Sequence, residues 1–389
     1  MQSDRTVVRA VGALLVAAWL VMAIARSSRG EMPHDLAAYT AAADLFWSGA
    51  NPYDQAAMAA APRNQGFLYI YQPMSLWLLW PLAHLTTEAI IALELLLRFG
   101  CVNLIAYILA SRFKPELPHA YAAALVLCIV YAREDLTDGN LGTTLFALWL
   151  AVVASRPAGD GPTTAPLAPY GWSLRLRIVA SWIAVVASGA LFACKPLWVP
   201  LACAGLAAQR RWAACAAVAA GAAAMTAASF MQRDLWRAWL DVLVHHRAHS
   251  ATYDLMASQP LWSNVLIAAL WLAAALWLLA RARRLSAPPP PLWIWAGVGV
   301  LAWPRYGIYD LLLLLPAICW LATRAHPWLV IAVAFALPEA LCQLHFMGLG
   351  PLAQAFFTTK LAGAIFAGII LVALHRAIDE AAQASPVAP

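Results

Sequence analysis

Hydrophobic positions in this chain come in long unbroken blocks, without the strict alternation of a half-exposed strand. The blocks are Val7–Ala25, Gln72–Leu85, Ala89–Ala110, Ala120–Tyr131, Leu141–Ala154, Ile178–Ala193, Pro196–Ala208 and Trp212–Phe230. Leu261–Ala280, Leu292–Trp303, Leu311–Ala322, Trp328–Leu341 and Phe356–Leu374 follow. A crossing needs about 20 apolar residues, fewer inside a bundle, so the pattern predicts roughly eleven to thirteen crossings. Backbone in lipid must close its own hydrogen bonds, and membrane barrels alternate apolar with polar residues. The predicted fold is therefore all-α: a polytopic transmembrane helical bundle, with residues 1–389 forming one integral membrane domain.

The polar stretches set the organisation. Basic flanks on the first block, and the absence of a small-residue cleavage site after it, point to a retained first helix with a cytoplasmic N-terminus. Residues 27–71 are the first extracytoplasmic loop. Within it Asp35 to Trp47 reads as an amphipathic helix lying along the membrane interface. Residues 155–177, with Pro157, Pro162, Pro166 and Pro169, read as a cytoplasmic Pro-rich linker, and residues 281–291, ending in four prolines, as a second one. Arginines such as Arg26, Arg112, Arg210, Arg211 and Arg376 close the apolar blocks, as the positive-inside rule expects. Counting back from a cytoplasmic Arg376, the alternation holds as far as Arg112. Two blocks then stand where an odd number is needed. Either Gln72–Leu85 is re-entrant or the Arg112 loop breaks the rule.

Composition narrows the class further. The chain has 389 residues, 63% hydrophobic and 11% charged, with a mean hydropathy of +0.71. Soluble domains keep about a quarter of their residues charged, so no solvated surface is available here. A soluble enzyme, a nucleic-acid-binding protein and a disordered chain are excluded. The net charge of +6 is topological, and nucleic acid is not a partner; the lipid bilayer is. The predicted location is the cell inner (plasma) membrane. Seven cysteines lie in or beside apolar blocks, without the spacing of a disulfide framework or a metal site.

Acidic residues are scarce, which makes the first-loop set of Glu31, Asp35, Asp44 and Asp54 informative. Asp35 stands at the head of the predicted helix, where it serves equally as an N-cap or as a reactive carboxylate. The helix is followed by Gly49-Ala50-Asn51-Pro52-Tyr53-Asp54, where Gly49 stops it and Asn51-Pro52 turns the chain. Tyr69-Ile70-Tyr71-Gln72-Pro73 then opens an apolar run that ends in Pro81-Leu82. This order resembles glycosyltransferase family 87: an acid shortly before a tyrosine, a helix, Gly-x-Asn-Pro-Tyr-Asp, then Tyr-x-Pro entering a run closed by Pro-Leu. Looser similarities follow at Gly139-Asn140, Lys195-Pro196 and Arg210-Arg211-Trp212. The segment Trp303 to Asp310 resembles one in which the family carries a histidine, a place held here by Tyr309. Gln72 departs from the family's Tyr-Pro-Pro form.

The resemblance implies a GT-C membrane enzyme. It would move a sugar, typically mannose, from a polyprenyl-phosphate donor to a hydroxyl on a glycolipid or glycan acceptor outside the cytoplasm, with inversion at the anomeric carbon. Asp35 would be the base, aided by partial desolvation at the water–lipid boundary. Cations near the outward ends of apolar blocks, Lys195 and Arg305, are candidates for holding the departing phosphate; snorkelling and a salt bridge to Asp310 are their structural alternatives. Tyr39, Tyr53, Tyr71, Asn140 and Tyr309 are candidate substrate contacts. His245 and His246 are candidates too, as phosphate donors. His245 and His249 share a helical face but lack an acidic third ligand, so no metal and no cofactor is expected. A lipid-sugar flippase or transporter shares the composition, but such proteins place charges mid-membrane on broken helices in repeated halves. A polysaccharide polymerase or ligase is the other alternative.

Overall fold

The computed structural model describes residues 32–64, 67–113, 139–154, 174–195, 198–250 and 312–322 as continuous stretches. Residues 124–129 and scattered positions between 14 and 29, 121 and 132, 269 and 277, and 372 and 376 are also described. Among the described residues there is no strand, and the fold is all-α. The helices are α1 His34–Trp47, α2 Gln55–Ala60, α3 Pro73–Leu78 and, after a 3-10 turn at Trp80–His84, α4 Thr87–Phe113. They continue with α5 Gly142–Ala154, α6 Leu174–Phe192, α7 Trp198–Ala208, α8 Trp212–Ser229, α9 Arg233–Ser250 and α10 Leu315–Ala322. The chain forms two compact units. One comprises Val21–Cys101 with Thr137–His246; the other comprises Met1–Leu20, Val102–Leu136 and Arg247–Pro389. In the second unit, α10 is buried along its whole length.

Two described helices, Thr87–Ser111 and Trp212–Ser229, are long and apolar enough to cross a membrane. Shorter apolar helices stand at Gly142–Ala154, Val179–Phe192, Trp198–Ala207 and Leu312–Ala322. The block Gln72–Leu85 does not form one helix. It breaks at Leu79, and Pro81 falls in the 3-10 turn that follows, leaving two pieces of one turn or so. Neither can bridge about 30 Å of hydrocarbon at about 1.5 Å per residue.

α1 corrects a second expectation. It is not amphipathic, because Leu36 through Ala43 are all buried. Its polar residues sit at the ends, as Asp35 and Asp44, while Thr40 turns its hydroxyl back onto the Leu36 carbonyl at 2.8 Å. With no polar face exposed over those eight residues, it is a core helix. It packs against Tyr53, Met58, Tyr69, Leu76, Leu79, Ile90 and Val242 in one cluster.

α6 and α8 approach closely. A Cβ added at Gly189 would fall on the Val218 carbonyl, and one at Gly221 on the Val186 carbonyl. Backbone cannot swing aside as a side chain can, so Gly221→Ala must spread the helices. A loss of about 1–3 kcal/mol is expected, read as a lower Tm of the purified protein. At Gly100 a Cβ meets nothing within 4 Å. Gly100→Ala should raise Tm slightly, through about 0.5–1 kcal/mol of helix preference; equal effects at the two sites would refute the packing argument.

The turn between α7 and α8 holds the end of α5. Arg211 Nη1 donates to the Val152 and Val153 carbonyls at 3.0 and 3.3 Å, and Gln209 Nε2 donates to the Val153 carbonyl at 2.9 Å. These carbonyls belong to the last turn of α5, which has no helical donors left for them. Within Arg210-Arg211-Trp212, Arg211 therefore has a capping role, shared with Gln209.

Candidate active site

Every described component of the site lies in the first unit. α1 starts on Pro33, which occupies the N-cap position and accepts from Ala37 N at 2.8 Å. Asp35 is thus not the cap but a half-buried carboxylate in the first turn, where the helix dipole favours negative charge. Gly139, with φ +79°, lies against that turn. A Cβ there would stand 2.8 Å from Pro33 Cβ and 2.9 Å from Leu36 Cβ. Only glycine permits both the left-handed backbone and the contact, and the next residue, Asn140, is delivered beside Asp35.

Asn140 is the hub. Its Nδ2 donates to Asp35 Oδ2 at 2.6 Å and to the Tyr71 hydroxyl at 3.2 Å. Its Oδ1 accepts from Lys195 Nζ at 2.6 Å and from Gly142 N at 3.2 Å. The amide orientation follows from the partners, since acceptors surround one end and donors the other. Lys195 reaches the site from the turn that ends α6, where its own N–H donates to the Phe192 carbonyl at 3.1 Å. Its ammonium also stands 5.7 Å from the centroid of the Tyr71 ring. Tyr39, one turn along α1 from Asp35, meets Tyr71 edge-on at 5.0 Å and Tyr69 at 6.4 Å.

The loop motif is the scaffold beneath these groups. Gly49, with φ +85°, ends α1: its N–H donates to Phe46 O at 3.1 Å, and Ala50 N donates to Leu45 O at 2.8 Å. Asn51 Oδ1 accepts from Tyr53 N at 3.0 Å, and Asp54 caps α2 by accepting from Ala56 N and Ala57 N. Tyr53 is buried, and its hydroxyl donates to the Tyr71 carbonyl at 2.7 Å. From the other side, Trp239 Nε1 of α9 donates to the Ile70 carbonyl at 3.0 Å. Tyr69 hydrogen-bonds Ser75, whose hydroxyl donates to the Gln72 carbonyl.

The acidic residues now separate by role. Asp54 is spent on capping. Asp44, at the far end of α1, faces Arg63 Nε at 3.5 Å, while the Arg63 guanidinium donates to the Leu82 and Leu85 carbonyls. Burial pushes the Asp44 carboxyl up, outweighing the Arg63 charge. Burial also raises the Tyr53 phenol, with Tyr69 adding to it, and the Tyr69 phenol, against the opposing bond from Ser75. Both phenols stay neutral in any physiological range and offer no base. Asp35 is the carboxylate placed with a lysine and an amide.

Asp35, Tyr39, Tyr71, Asn140 and Lys195 are brought together, with Tyr53 behind them. Arg305 and Tyr309 lie outside the described residues. α9 carries His245 and His246, whose side chains also lie outside them. Among the described residues no three His, Cys, Asp or Glu side chains gather as a metal site. Sequence reasoning missed Glu94 and Arg98, which form a buried ion pair one turn apart on α4, with Arg98 donating to the Asn140 main-chain carbonyl. The signal was present: opposite charges at i and i+4 inside an apolar run.

Residues 69–260 match the family model of glycosyltransferase family 87. Over that stretch the chain is similar to family 87 glycosyltransferases. It contains Tyr71, Asn140 and Lys195; Asp35, Tyr39 and Tyr53 precede it. No curated protein and no solved structure matches the chain. The match supports glycosyl transfer, from a sugar donor to an acceptor, as the activity class.

Proposed function

We propose that the chain transfers a sugar, mannose in the first instance, from a polyprenyl-phosphate donor to a hydroxyl on a glycolipid or glycan acceptor. It would do so at the extracytoplasmic face of the inner membrane, as a multi-pass GT-C enzyme. One observation carries the reading: a single carboxamide, Asn140, holds a carboxylate at one end and an ammonium at the other. Transfer needs this polarity. Asp35 takes the acceptor proton as the acceptor oxygen bonds to the anomeric carbon. The bond from that carbon to the phosphate oxygen breaks, and its electron pair leaves with polyprenyl phosphate. The Lys195 ammonium faces the growing phosphate charge. A lone base opposite the leaving group gives inversion. The half-buried Tyr71 ring, backed by the buried Tyr39, supplies a face for a sugar to stack on, and Tyr53 fixes Tyr71 from behind.

Purified protein in detergent should release polyprenyl phosphate from polyprenyl-phosphate mannose when a mannoside acceptor is present, with stoichiometric glycoside formation. Donor consumption without a new glycoside, or movement of intact donor across a vesicle without cleavage, would exclude transfer and favour the flippase alternative.

A further inference from the structure

Glu94 and Arg98 stand out among the buried groups. They are 8% and 3% exposed, on a helix apolar enough to span a membrane. Charges in such a place are costly, and a buried pair is rarely there for stability, since apolar residues of similar volume commonly serve as well. The pair does have a specific use. Glu94 lies against Arg98 Nε, and Arg98 Nη2 donates to the main-chain carbonyl of Asn140. The carboxamide of that same residue meets Asp35 and Lys195. Asn140 has no helical backbone to hold it, because it precedes α5 and follows a glycine in the left-handed region. The turn is held from the α1 side by packing on Gly139, and from the α4 side by Arg98.

We propose that Arg98, oriented by Glu94, is a positioning residue for transfer: it fixes the Asn140 main chain so that the carboxamide stays registered between Asp35 and Lys195. The inference rests on the glycosyl-transfer reading. Loosening the anchor lets the amide drift. Misplacement by about 1 Å costs on the order of 100-fold in rate when a reacting group depends on it.

The test replaces both charges together, so that neither is left buried alone. Full-length Glu94→Leu/Arg98→Leu should keep its Tm and its KM for polyprenyl-phosphate mannose, while kcat falls by about 10- to 100-fold. Arg98→Lys keeps the charge and one donor, and should recover part of that loss. A folded double variant with wild-type kcat overturns the proposal. A loss of kcat that only tracks a loss of folded protein also overturns it, by making the pair structural. Should the double variant not fold, Arg98→Lys and Glu94→Gln carry the same comparison, and wild-type kcat in both is fatal to it. Asp35→Asn run alongside keeps the readings apart. An active Asp35→Asn removes the base assignment, whereas an inactive one beside a wild-type double variant removes only the role of Arg98.

Discussion

Asp35→Asn should leave a folded protein that no longer transfers sugar. The substitution keeps shape and volume. Asn140 can still meet the new side chain through its oxygen, so helix α1 has no reason to shift. Basicity alone is lost, because an amide cannot take the acceptor proton. General-base catalysis contributes up to about 10,000-fold, and the loss should approach that figure since Tyr53 and Tyr69 are held neutral by burial and cannot substitute. The measurement is glycoside formation under saturating donor, with Tm as the folding control. Transfer at the wild-type rate would transfer the role to another group.

Lys195→Met should cost about 100- to 1,000-fold in kcat/KM, the scale of removing one preorganised donor from a developing charge. The lysine is half-buried at a helix end, and its Nζ bonds Asn140 Oδ1 and stands over the Tyr71 ring at 5.7 Å, so methionine retains the stem while deleting the charge. Polyprenyl phosphate release in a single turnover reads the effect directly. Lys195→Arg should be less damaged, since charge is kept but the bulkier fork disturbs the 2.6 Å contact to Asn140. An unchanged kcat/KM in Lys195→Met would leave the lysine a purely structural anchor for Asn140.

Much of the scaffold was legible because turn chemistry is local. Gly49, Asn51 and Asp54 do what such residues do at a helix end, a turn and a cap. Asp35, Asn140 and Lys195 were singled out by residue type and resemblance, but nothing in the sequence tells that one amide joins the other two. The contacts span 105 and 55 residues, beyond any periodicity. α1 was misread because its end residues are polar and aromatic, whereas its burial depends on the helices around it. Glu94 and Arg98 were absorbed into a run of leucines, whose average hydropathy hides a self-neutralising pair. Gln72–Leu85 looked like one segment because apolar composition does not reveal where a helix stops.

The site's dispersion along the chain has a consequence for synthesis. Residue 35 emerges from the ribosome first, its amide partner follows 105 residues later, and the lysine 55 after that. A nascent chain halted before residue 195 carries the acid and its amide without their counter-cation, so the constellation is completed only when the last of the three has been made.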